Sequence, residues 1–110
     1  MTHAYLLERM YRTTSKLATG LGDLRERLPE AFNNGFGTIG EKEIREISFD
    51  LAQHFKSVRA RLRTVQNDEV GWAAASAAEM SDAELVRLAN DILDIEAMTN
   101  DAVAHREVSK

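Results

Sequence analysis

Residues 41–65, EKEIREISFDLAQHFKSVRARLRTV, repeat apolar or small side chains at alternating steps of four and three. Ile44, Ser48, Leu51, Phe55, Val58, Leu62 and Val65 carry the repeat, and no Gly or Pro interrupts it. Such steps place these residues on one side of an α-helix. The stretch therefore predicts a helix over 41–65. Thr38, three residues before Glu41, stands at capping-box spacing and marks its start.

Two more stretches repeat in the same way. Leu7, Met10, Thr14, Leu17, Leu21, Leu24 and Leu28 predict a helix over about 4–28. Gly20 and Gly22 sit inside it, each costing roughly 1 kcal/mol relative to Ala, and are read as a close approach of a neighbour or a bend. Leu85, Leu88, Ile92, Ile95 and Thr99 predict a last helix over about 82–105, opened by a second capping box at Ser81 and Glu84. Beside them Val86, Ala89, Leu93 and Ala97 form another stripe. The two stripes cover roughly 200° of the helix, enough for two neighbours, which points to a central position or an oligomer interface.

The connections follow from what remains. Pro29 opens a twelve-residue link, 29–40, whose Phe32, Phe36 and Ile39 are expected to fold back over the end of the bundle. After a break at 66–68, the Ala-rich run predicts a short helix over about 69–79, capped by Asn67 or Asp68 and anchored in the core by Trp72. The tail from His105 is expected to fray. The expected fold is all-α: a small antiparallel helical bundle of three long helices, about 4–28, 41–65 and 82–105, plus the short helix at about 69–79. With 110 residues the chain is expected to form one helical-bundle domain, 1–110.

Composition narrows the function classes. There is no cysteine, which excludes a disulfide framework and any cysteine ligand or nucleophile. No apolar stretch approaches membrane-spanning length, and a cytoplasmic protein is the expectation. The net charge of −4 is unevenly spread. Residues 1–40 are net +1, residues 41–65 net +2 and residues 66–110 net −7. An acidic total disfavours dedicated nucleic-acid binding, while a local basic face keeps phosphate binding open.

Motifs with a chemical meaning are incomplete. Gly35-Phe36-Gly37-Thr38-Ile39-Gly40 spells G-x-G-x-x-G but lacks the strand that a dinucleotide site requires before it. Glu41, Glu43 and Glu46 oppose an anion at the helix start that follows. His54 stands mid-helix, but His54-Phe55-Lys56-Ser57-Val58 departs from the H-x-x-K-G run of histidine phosphotransfer domains in both lysine spacing and the final small residue. Asp50/His54 and Asp101/His105 share i, i+4 spacing and could combine into one four-ligand metal site, although the Glu-x-x-His motif of di-metal bundles is absent. Glu43/Glu46 and Asp91/Asp94 are spaced like the Mg²⁺-binding carboxylates of all-helical nucleotide pyrophosphohydrolases, with Asn90 where a further acid would help. Neither a metal nor a cofactor is expected.

The sharpest signal is charge sorting on the helix at 41–65. Lys42, Arg45, Lys56, Arg59 and Arg63 share one flank, Phe49 lies among them, and Glu43, Glu46 and Asp50 take the other. Arg and aromatic side chains favour interfaces. Two structural uses compete: cations complement a helix C-terminus, and the acidic last helix can neutralise the flank while the short helix covers Phe49. The expected function is a non-enzymatic protein–protein interaction module, an adaptor, inhibitor or small subunit. It docks on an acidic protein surface through Arg45, Phe49, Lys56, Arg59 and Arg63, or self-associates. The alternatives are a phosphate-backbone binder using the same face and a metal-dependent nucleotide hydrolase using the paired carboxylates.

Overall fold

Asp23 and Ser48 set the architecture, because each caps a helix inside a run that the apolar spacing alone would leave unbroken. The computed structural model describes residues 4–19 and 23–108, with side chains described as far as His105 and Thr19 excepted. Its helices are α1 Ala4–Thr19, α2 Leu24–Asn34, α3 Glu41–Ile47, α4 Phe49–Arg61, α5 Trp72–Ala78 and α6 Asp82–Val108, with one 3₁₀ turn at Phe36–Thr38. The fold is an all-α bundle. Only α6, at 27 residues, reaches the length expected of all three long helices.

The expected helix 4–28 is two helices. The Asp23 carboxylate accepts from the Glu26 backbone N–H at 3.1 Å and starts α2, satisfying one of the donors that a helix N-terminus leaves free. Gly20 and Gly22 lie outside the described residues. α2 then runs through Pro29, which is buried within it, so the expected link at 29–40 shortens to the few residues after Asn34. Phe32, now within α2, and Phe36 and Ile39 of the link are buried in the core. On α1 it is Leu6 rather than Leu7 that reaches the core.

The expected helix 41–65 is also two helices. Ser48 is extended, with φ −160° and ψ 128°, and its Oγ accepts from the Leu51 N–H at 3.2 Å. Its own N–H donates to the Ile44 carbonyl at 3.0 Å, closing α3. Because Ile44, Leu51, Phe55, Val58 and Leu62 are all buried, the core accepts the broken helix without losing its seam. Thr38 is not the cap of α3. Its hydroxyl donates to the Gly35 carbonyl at 2.6 Å and accepts from Arg9, while Gly40 precedes α3 without a side-chain cap.

Close approach at one glycine joins the first helix to the α2–α3 link. A Cβ on Gly35 would stand 1.9 Å from Thr13 Oγ1 and 2.4 Å from the Arg9 carbonyl. Thr13 is buried and accepts from the Phe36 N–H at 2.9 Å, so the glycine lets a helix and a turn meet backbone to side chain. Gly35 of the fingerprint-like run thus serves close packing.

The short helix starts later than expected, at Trp72, after Gly71 with φ +91°. Asn67 Oδ1 accepts from the N–H groups of Glu69 and Val70, capping the turn before it rather than the helix. Trp72 is not the core anchor. It is 39% exposed, and its indole N–H donates to Asp68 at 3.3 Å; Ala73, Ala75, Ser76 and Ala77 are buried in its place. Arg25 of α2 holds the end of α5, donating to the Ala77 carbonyl at 2.7 Å and to Asp82 Oδ1 at 2.9 Å. Ser81 Oγ caps α6 by accepting from the Glu84 N–H at 3.2 Å, while the Glu84 carboxylate accepts from the Ser81 hydroxyl rather than from its backbone N–H, and α6 continues past His105 to Val108. Leu85, Leu88, Ile92, Ile95 and Thr99 are buried against the other helices.

Candidate functional site

The break at Ser48 divides the basic flank between elements. Lys42 and Arg45 belong to α3, Phe49, Lys56 and Arg59 to α4, and Arg63 follows the end of α4. Phe49 is the first residue of α4 and is 64% exposed, so neither α5 nor any other element covers it. Arg45, four residues earlier in the last turn of α3, is exposed and has no ion-pair partner among the described residues. The corner between α3 and α4 thus displays a cation and an aromatic ring within one helical turn of sequence.

Arg59 has an internal task. Its Nη2 donates to the Ile39 carbonyl at 2.6 Å, and its guanidinium lies 4.7 Å over the Phe55 ring. Burial, followed by the neighbouring Arg63, holds its pKa below the ordinary arginine value, and Glu41 acts in the opposite direction. Lys56 is also engaged, 3.7 Å from Glu41 across an exposed pair. Among the described residues no acid of the last helix pairs with Lys56, Arg59 or Arg63. Asp91 of that helix pairs instead with Arg61 at 2.8 Å, a residue outside the expected flank. Such a half-exposed pair is worth about 0–1 kcal/mol.

Arg63 looks onto a different feature. With Phe32, Asn33, Gly37, Leu62 and Trp72 it lines an open groove of about 420 Å³. A second groove, of about 440 Å³, gathers His54, Arg61, Asp91, Asp94 and Met98. Arg61 already bonds Asp91 there, so the groove offers an imidazole and carboxylates with a charge partner in place. Among the described residues no three His, Asp or Glu side chains are placed to hold a metal ion. Asp50/His54 and Asp101/His105 are therefore not brought together as the four ligands of one site.

Sequence reasoning missed the ties made by Arg25 and Arg59. Both reach backbone carbonyls far along the chain, Ala77 and Ile39, which no local pattern records. No protein-family model, curated protein or solved structure matches this chain. Among the described residues no helix is long and apolar enough to cross a membrane.

Proposed function

We propose that this chain is a non-enzymatic, cytoplasmic protein-interaction module that docks on an acidic protein surface through the α3–α4 corner. The observation that carries the reading is Phe49, 64% exposed at the start of α4, four residues after the exposed Arg45, which has no ion-pair partner among the described residues. An exposed phenylalanine costs solvation unless a partner buries it, and aromatic and arginine side chains are the residues that dominate interface energetics. Arg45 and Phe49 form the contact and Arg63 adds a further cation of the flank, while Lys56 is held by Glu41. Arg59 supports the face from within by tying α4 to Ile39.

Partner capture from cells of the source organism tests the reading, comparing the intact chain with a Phe49→Ala, Arg45→Glu double variant and with Arg63→Glu. The double variant is expected to keep its helicity and lose one acidic partner, while Arg63→Glu weakens the same capture. Identical partner sets for all three chains would contradict it. Arg59 is not a suitable reversal site, because its charge holds the fold.

A further inference from the structure

α6 carries two apolar stripes; the bundle uses the first and, from the second, only Ala89, which packs against the core. Val86 and Leu93 are 52% and 46% exposed, and Ala97 and Ala104 are exposed beside them. These four fall within about 40° of one another on the helix, roughly 135° from its buried side. Asn90 and Asn100, both exposed, complete the seam. Residues 86, 90, 93, 97, 100 and 104 then follow at steps of four, three, four, three and four, the spacing of a coiled-coil contact line.

The seam has a symmetry that the core stripe lacks. Val86 and Ala104, Asn90 and Asn100, and Leu93 and Ala97 are each equally distant from Ile95. Reversed about that point, apolar positions fall on apolar positions and amides on amides. From this pattern we infer that α6 pairs with α6 of a second copy, antiparallel about a two-fold axis that passes on the seam side at the level of Ile95. Val86 then meets Ala104 of the other copy, Leu93 meets Ala97, and Asn90 meets Asn100 in two amide pairs that hold the register. The alanines let the helices approach closely.

Charge supports the same partner and orientation. In such a pair each flank of the helix meets the same flank of its copy, at positions reflected through Ile95. Arg87, exposed and without an ion-pair partner among the described residues, is brought alongside Asp101 of the other copy, and the contact occurs twice. On the opposite flank Glu96 is already taken up by its own chain, accepting from the Thr14 hydroxyl of α1 at 2.6 Å. Asp94 and Glu96 are the adverse elements: each faces its own counterpart near the axis, and the Thr14 hydroxyl leaves the Glu96 charge in place. This surface is separate from the α3–α4 corner, so either proposal can fail without the other.

Sedimentation velocity across the micromolar to submillimolar range tests the pairing, with circular dichroism confirming that each variant keeps its helicity. The intact chain is expected to show a monomer–dimer equilibrium. Leu93→Glu abolishes it. Arg87→Asp and Asp101→Arg, each alone, place like charges together and weaken it on the order of tenfold or more. Mixing those two variants restores a dimer, because every pair is again opposite in sign, and Asp94→Asn tightens the original one. A chain that stays monomeric throughout would overturn the proposal. So would a dimer unaffected by Leu93→Glu, a mixture no tighter than its components, or a dimer lost on Arg45→Glu instead.

Discussion

Arg59, in the last turn of α4, donates to the backbone carbonyl of Ile39, the residue that leads into α3. The bond spans 20 residues of sequence and is made by a guanidinium stacked on Phe55. It fixes the start of α3 relative to the end of α4, and so fixes the corner between them. Phe36 lies behind it, its ring 5.6 Å from that of Phe55.

Arg59→Ala is therefore expected to destabilise the fold by about 2 kcal/mol, combining a charge-assisted hydrogen bond with a cation–π contact. Urea unfolding followed by circular dichroism measures it as a lower midpoint at unchanged slope. Arg59→Lys recovers little, because an ammonium cannot both stack flat on the ring and reach the carbonyl.

Gly35→Ala forces a Cβ into Thr13 Oγ1 and the Arg9 carbonyl, where backbone cannot yield cheaply. The expected loss is about 3 kcal/mol or more, at the upper end for overpacking. Gly71→Ala meets no neighbour, but its φ of +91° strains any side chain, and it should cost about 1–3 kcal/mol. Gly40→Ala, with ordinary φ and only Glu43 Oε1 at 3.4 Å, should be close to neutral. Thermal melts of the three variants give the order.

Ser48→Ala removes the cap of α4 while leaving the core seam intact. The expected cost is about 1 kcal/mol, seen as a drop in melting temperature. Asp23→Ala should do the same at α2, since it too accepts from a first-turn N–H.

These two caps show where the sequence was legible and where it was not. The buried seams of α4 and α6 followed from spacing, because burial selects apolar residues whatever the chain does between them. Ile44, Ser48 and Leu51 keep the steps of four and three across the break, so one helix and two helices satisfy the same pattern. The signals for two were local: Asp23 three residues before Glu26, and Ser48 followed by Asp50 in a first turn. Trp72 was misplaced for a related reason. Its size argued for burial, but it stands at the first position of α5, where Asp68 receives its N–H. Within the basic flank, exposure of Phe49 and the unpaired state of Arg45 needed the fold. The internal use of Arg59 depends on a carbonyl whose position no spacing encodes.

Phe49→Ala is expected to leave stability within about 0.5 kcal/mol of the original, as for exposed positions with no structural contact. Combined with loss of partner capture, that separates a docking residue from a structural one. A large fall in unfolding midpoint would assign Phe49 to the fold.

The most direct measurement places a photo-crosslinking phenylalanine analogue at position 49 in cells of the source organism. The docking reading predicts one discrete adduct with an acidic protein, lost when Arg45→Glu is added and retained with Leu93→Glu. Adducts no different from those of the same analogue at exposed Ala83 would contradict it.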